Sequence, residues 1–209
     1  MSRKTKNAVL IMLILSVCGL IAIVAVRYIR LVEEQRQHER ELAEYPVSFS
    51  EPIERYAAEY TLDPYLVLSI MRCESSFRTD AVSSAGAIGL MQIMPDSGEW
   101  IAHKLDEEPF DVSVLYDPET SIRFACWYLL FLTNRLNGDR TNIIAAYNAG
   151  HGSVEGWLKN PAYAQNGTLV SIPYPETERY VQKVNKAYEM YRKLYPELFS
   201  SGVADSPSA

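Results

Sequence analysis

Between Ala8 and Val26 the chain runs for nineteen residues without one charged side chain. Wound as an α-helix, such a run is about 28 Å long, close to the hydrocarbon thickness of a bilayer. Arg3, Lys4 and Lys6 precede it, and Arg27 and Arg30 follow. A cleavable signal peptide has a shorter apolar region and a small-x-small exit, which Ala22-Ile23-Val24-Ala25-Val26-Arg27 supplies poorly. Leu15-Ser16-Val17-Cys18 has the outline of a lipoprotein box, but Val17 is large where a small residue belongs, and the apolar run continues past it. Residues 8–26 are therefore read as an uncleaved, single-pass anchor in the cytoplasmic membrane. Basic residues flank both ends in similar number, so their count alone decides little. The dense cluster before Ala8 favours residues 1–7 as the cytoplasmic side.

Whatever the chain does in water must be built after this anchor. Leu31 to Glu44 is charged and Gln-rich, with almost no apolar stripe beyond Val32, so residues 27–49 read as a solvated, partly helical stalk. Residues 50–196 suffice for one domain with its own core. Residues 197–209, small and polar from Ser200, are expected to be a disordered tail. A net charge of −6 and a pI near 5.2 argue against a nucleic-acid partner, which would need a basic face. His38, His103 and His151 are too dispersed for a metal site, and neither metal nor cofactor is expected. Cys18 lies in the anchor. Cys73 and Cys126, both in apolar helical context, are read as buried free thiols rather than a bridge.

The domain reads as mainly α. Ser50 is expected to cap a helix with Pro52 in its first turn and Ile53, Tyr56, Ala57 and Tyr60 on one face. Asp63-Pro64 starts a second helix, which turns Leu66, Val67, Ile70 and Met71 inward and ends at Glu74. Pro95-Asp96-Ser97-Gly98-Glu99 has the form of a capping box opening a helix to Leu105. Asp117-Pro118 opens another, apolar nearly all round and therefore central, stopped by Asn137-Gly138. Shorter helices are expected over Asn142–Asn148 and Ser153–Leu158, then a small hairpin turning at Asn166-Gly167, then a last helix from Glu176 to Tyr195.

Chemistry concentrates in Cys73 to Pro95, CESSFRTDAVSSAGAIGLMQIMP. Glu74 ends an apolar helical run, faces a loop of small residues, and is followed by an apolar segment, Leu90 to Met94, holding one amide, Gln92. A carboxyl between apolar walls, where a polymer can come close, is what raising a carboxyl pKa for acid catalysis requires. The plainer reading is a helix end and an ordinary turn. The order of the stretch favours chemistry: it resembles the lytic transglycosylases of the soluble-type (goose-lysozyme-like) family, with Glu-Ser-x-Phe and then Ala-x-Ser-x-x-Gly-Ala-x-Gly-Leu-Met-Gln-x-x-Pro. Two further pieces match in order, Ala146-Tyr147-Asn148-Ala149-Gly150 and Ile172-Pro173-Tyr174-Pro175-Glu176-Thr177-Glu178-Arg179-Tyr180-Val181. In the last, Glu178 intervenes where the family often has Arg directly after Glu-Thr, so Glu176 stays aligned and no role is carried to Arg179.

The resemblance implies a lysozyme-like, mainly α catalytic domain with at most a small β-hairpin, preceded by one transmembrane helix and standing on the extracytoplasmic side. It implies cleavage of the bond between N-acetylmuramic acid and N-acetylglucosamine in peptidoglycan strands without water, leaving 1,6-anhydromuramyl ends. Glu74 is then the single catalytic acid and base. Ser83 matches the serine that contacts the substrate's N-acetyl group, Gln92 and Met94 match groove positions, and Tyr147 matches a tyrosine near the carboxyl. Asn148 and Gly150 shape that turn, and Glu176 supports the groove from the last helix. Each has a plainer alternative: turn chemistry for Ser83, core packing for Met94, a dipole-favoured first-turn Glu for Glu176. Among the tryptophans, Trp127 is read as core and Trp157 as the candidate for stacking on sugar.

Two rival readings stay open. A hydrolase of the same fold, a goose-type lysozyme, needs a second carboxylate to position water, and neither Asp80 nor Asp96 sits at a motif position. A non-catalytic wall-binding protein would use the anchor and stalk, but would have no need of a desolvated acid. The sequence identifies no protein partner.

Overall fold

The computed structural model describes residues 3–199. It divides into a unit that ends at Pro46 and a unit that begins at Val47. The first is one helix, α1 (Arg3–Glu44), in which the uncharged run and the charged segment after it are continuous. No Gly or Pro interrupts residues 27–44, so nothing local separates anchor from stalk. Its 42 residues make a rod about 63 Å long. Among the described residues it is the one helix long and apolar enough to cross a membrane. Leu20, Ile21, Ile23 and Val24 are 57–63 % exposed along it, as side chains that face lipid would be.

The second unit is helical: α2 (Ser50–Glu59), α3 (Pro64–Ser75), α4 (Pro95–Lys104), a 3-10 turn (Val112–Tyr116), α5 (Pro118–Arg135), α6 (Arg140–Ala149), α7 (His151–Leu158) and α8 (Pro175–Leu194). Between α7 and α8 lies a hairpin of β1 (Ala164–Gln165) and β2 (Thr168–Leu169), antiparallel, pairing Ala164 with Leu169 and Gln165 with Thr168. Its turn residues Asn166 and Gly167 have φ of 53° and 83°, the doubly left-handed turn that two-residue hairpins favour.

Aspartates open three of the helices. The side chains of Asp63, Asp117 and Asp139 accept the N–H groups of Tyr65, Thr120 and Asn142 at 2.8–2.9 Å. Two expected caps fail. The residue before α4 is Met94, extended, with no side-chain cap, and Asp96, which stands three residues before Glu99 as a capping box requires, falls inside the helix. Pro95 at the first helical position holds its predecessor extended and so sets the boundary earlier than the box would. Likewise α2 begins with Ser50 inside and Phe49 outside, left-handed at φ 58°.

Helix α5 is the hub, packed against α2, α4 and α6. Ile122, Phe124, Ala125, Cys126, Leu129 and Leu132 are buried there. It is not buried all round: Trp127, Leu130 and Phe131 are half-exposed, and Trp127 meets Trp100 of α4 edge-on at 5.2 Å. Helix α8 lies on α3 and α6 through Val181, Val184, Ala187 and the fully buried Tyr191. From α3 come Leu68, Ile70 and Met71, each fully buried and worth about 1.5–3 kcal/mol. These contacts draw the C-terminal end of α3 to the first turns of α8.

Residues 200–209 of the expected tail lie outside the described residues, but its first part is ordered. Phe199 is buried and edges onto Tyr65 at 5.0 Å, while the Tyr65 hydroxyl donates to the Tyr195 carbonyl. An aromatic side chain with a core to enter keeps the chain packed beyond α8. Cys73 and Cys126 are both free thiols; Cys126 is buried and Cys73 only half-buried, open to a cavity beside α8.

Candidate active site

The last turn of α3 carries Glu74, and the chain then bends at two left-handed residues, Ser76 (φ 52°) and Phe77 (φ 66°). The carboxyl stays inside. Its Oε1 accepts a 2.5 Å hydrogen bond from Tyr180 Oη of α8. Burial pushes the Glu74 carboxyl up to about 7, against the Tyr180 bond, which pulls it down. Burial foremost, and then the Glu74 charge, raise the Tyr180 hydroxyl well above the ordinary tyrosine range, so the proton between them belongs to the tyrosine. Sequence reasoning passed over Tyr180, although it lies in a matched motif. Its spacing with Thr177, Val181 and Val184 puts it on the buried face of α8, and a buried tyrosine hydroxyl needs a partner.

Opposite stands the loop from Ala81 to Met94, folded on itself by bridges joining Ile88 to both Val82 and Ile93. Gly89 has φ +74°, and a Cβ there would lie 2.1 Å from the Leu115 carbonyl oxygen, so only glycine fits. Met91 is held from both sides: its N–H donates to Ser121 Oγ of α5, and its carbonyl accepts from Tyr147 Oη of α6 at 2.9 Å. Gln92 is left-handed at φ 47°, and its Nε2 donates to the carbonyls of Gly89 and Ala81. The Ser83 hydroxyl oxygen accepts the Ala87 N–H at 3.0 Å, which leaves its own proton to donate.

Between this loop and helices α4 to α6 opens a cleft of about 280 Å³, lined by Gln92, Met94, Ser97, Tyr128, Tyr147 and Asn148 among others. Met94 is 41 % exposed, so it is a wall of the cleft and not core. Burial and the nearby Glu74 charge raise the Tyr147 hydroxyl well above its ordinary range, which places it within electrostatic reach of the carboxyl. Asn148 Oδ1 accepts from Thr177 Oγ1 at 2.8 Å and ties α6 to α8. Glu176 is exposed in the first turn of α8 and faces a second cavity, lined also by Cys73, Asn148 and Tyr180. Trp157 is no stacking platform: it is buried and edges onto Tyr174 at 4.9 Å. The apolar spacing of α7 turns it inward, leaving Tyr174 as the exposed ring of that pair.

Tyr147 and Tyr180 flank Glu74, one facing each cavity. Burial and the Tyr180 bond account for the whole of the Glu74 shift, with no contribution from a second carboxylate. Neither Glu74 nor another carboxylate lines the cleft itself, and Glu176 is the carboxylate of the second cavity. Among the described residues no group of His, Cys, Asp and Glu is arranged to hold a metal ion. What the site offers is one desolvated carboxyl, half protonated near neutrality, beside a polar-and-apolar groove.

Residues 51–169 match the model of the transglycosylase SLT domain. The soluble lytic murein transglycosylase of Escherichia coli K12 is 32 % identical over 154 residues, which are 72 % of this chain and 24 % of that protein. The membrane-bound lytic murein transglycosylase C of Yersinia pestis (strain Pestoides F) is 33 % identical over 163 residues, covering 68 % of this chain and 46 % of that one. Among solved structures, the 70 kDa soluble lytic transglycosylase of Escherichia coli superposes with a TM-score of 0.69 at 29 % identity, over 78 % of this chain and 27 % of that one. An inactive variant of the lytic transglycosylase Slt of Pseudomonas aeruginosa gives 0.65 at 32 % identity, over 71 % and 24 %. The chain thus spans between a quarter and a half of the length of these relatives.

Proposed function

We propose that this chain, which belongs to the transglycosylase SLT domain family, is a membrane-anchored enzyme that cleaves peptidoglycan strands without water. The bond cut is that between N-acetylmuramic acid and N-acetylglucosamine, and the product carries a 1,6-anhydromuramyl end. The observation that carries the reading is a lone carboxyl, Glu74, held by burial at a pKa of about 7 with no second carboxylate acting on it.

One group then serves twice. Protonated, Glu74 gives its proton to the glycosidic oxygen as the bond to C1 breaks. As carboxylate, it takes the proton of the C6 hydroxyl of the same muramyl residue, whose oxygen closes on C1. Burial suits the first step and the Tyr180 bond the second, since that bond favours the charged form. Tyr147 acts by fixing the loop at Met91 beside the carboxyl. Ser83, whose hydroxyl oxygen accepts the Ala87 N–H and leaves its proton to give, would donate to the substrate's N-acetyl oxygen. Gln92 shapes the loop with its amide, Met94 and Asn148 border the groove, and Glu176 borders the cavity on its α8 side. A hydrolase would need a second carboxylate to orient water, and none is among the groups that shift Glu74. Helix α1 would hold the domain outside the cytoplasmic membrane, so that α1 stays in the membrane fraction after a high-salt wash.

The test is Glu74→Gln, nearly isosteric but without a transferable proton. The variant should fold and lose about 10²–10⁴-fold or more in turnover. Wild-type turnover by a folded Glu74→Gln chain would exclude the mechanism.

A further inference from the structure

Helix α5 is apolar beyond what its core face needs. Trp127 and Phe131 stand half-exposed on it, their rings within 9° of parallel and their centroids 6.1 Å apart. Trp100 of α4, also half-exposed, crosses them edge-on, 5.2 Å from Trp127 and 5.1 Å from Phe131. His151, the first residue of α7, edges onto Phe131 at 5.3 Å. This cluster begins where the cleft ends. Ser97, Tyr128 and Gly150 line the cleft. Trp100 and Phe131 follow the first two by one helical turn, and His151 follows the third directly. Tyr128 belongs to both: its ring lies 6.0 Å from that of Phe131 and 5.8 Å from that of Tyr147, which holds the Met91 carbonyl. The cation at the cluster's rim, Arg135 over the Phe131 ring, is paired with Glu155.

Large rings held at a surface by one another, and not by the core, mark a contact site. A membrane surface or a nucleic acid would call for cations beside them, and the cation here is already neutralised. A pyranose suits the cluster better. Its equatorial hydroxyls leave C–H bonds on the faces of the sugar, and those weakly positive hydrogens sit well on the negative face of an aromatic ring. A strand long enough to fill the cleft must also leave it, and the cluster continues its path. We propose that Trp100, Trp127 and Phe131 form a distal sugar subsite, which stacks on rings of the same strand beyond those held in the cleft. The chain then favours long strands over short ones. The proposal rests on the glycan-cleaving reading above.

The experiment measures kcat/KM of the full-length chain in detergent on peptide-free strands of alternating N-acetylglucosamine and N-acetylmuramic acid, as tetrasaccharides and as octasaccharides. The wild type should favour the octasaccharide by about tenfold. Raised salt should leave that ratio unchanged, because stacking on a neutral ring is not screened. The double variant Trp100→Leu/Trp127→Leu should cleave tetrasaccharides as the wild type does and lose the preference for length. An equal preference in wild type and double variant would overturn the proposal. A second measurement leaves the cluster intact. The chain has three tryptophans, so Trp157→Phe makes Trp100 and Trp127 the only indole emitters. In the Glu74→Gln/Trp157→Phe chain, octasaccharides should shift the emission to the blue and tetrasaccharides should not; no shift with either would overturn the subsite. The two ideas fail separately. A length-dependent blue shift without any wild-type cleavage would uphold the subsite and reject the catalytic reading. Cleavage with the same length preference in wild type and double variant would do the reverse.

Discussion

Tyr180 Oη and Glu74 Oε1 lie 2.5 Å apart, joined by a hydrogen bond between residues 106 positions apart in sequence. That bond crosses from α8 to α3, and it opposes the burial that raises the carboxyl. The site's acidity is thus the difference of two effects: one from packing, one from a single hydroxyl.

Tyr180→Phe removes the hydroxyl and keeps the ring. The bond lowers the Glu74 pKa, so its loss should move the alkaline limb of the pH–rate profile to higher pH. The carboxylate needed for the second step loses a donor, and kcat should fall about 10-fold, within the 1–3 kcal/mol of an unmade hydrogen bond in a desolvated site. A role in packing alone would lower the melting temperature and leave the limb in place.

The Glu74 titration should also appear in stability. Its pKa rises from an ordinary 4.5 to about 7 in the fold, so between those values the folded chain holds the proton more tightly than the unfolded chain. The favourable contribution is complete below 4.5 and is lost as pH climbs through 7, by about 3 kcal/mol in all. Glu74→Gln should therefore melt above the wild type at pH ~8 and level with it at pH ~4.5. Likewise, wild-type kcat/KM should be flat below about 7 and fall tenfold per unit above it. A melting difference independent of pH would contradict the assigned burial.

Gly89→Ala should be among the most damaging small substitutions. The new Cβ meets the Leu115 carbonyl oxygen at 2.1 Å, at a φ of +74° that disfavours any side chain. Both are backbone, so neither can swing aside, and a loss of at least about 4 kcal/mol is expected. Gly86→Ala is the control: φ is +91° but nothing lies within 4 Å, so about 1–2 kcal/mol is expected. Thermal melts of the two variants in parallel check the difference; equal losses would mean that the Leu115 contact is not what requires glycine.

Local rules were legible in the sequence where one residue decides. Asp63 and Asp117, each before a proline, cap helices as expected, and Asn166-Gly167 turns the hairpin. Ser50 and the box over Pro95–Glu99 failed as caps because backbone preferences around neighbouring residues fixed the helix starts first. Glu74 could be found because a motif surrounds it. Tyr180 could not be assigned, since a tyrosine at helical spacing looks like core and its partner depends on how α8 meets α3. Ser121 was hidden the same way, a small polar residue within an apolar helix whose use is to hold Met91.

The central claim is that one carboxyl closes a ring instead of admitting water, and digestion of peptidoglycan in ¹⁸O-labelled water tests it most directly. Mass spectrometry of the products should show muramyl ends lighter than the hydrolytic product by one water, with no label incorporated. Reducing ends carrying the label would mean that water attacks C1, and would replace the single-glutamate account with a hydrolytic one.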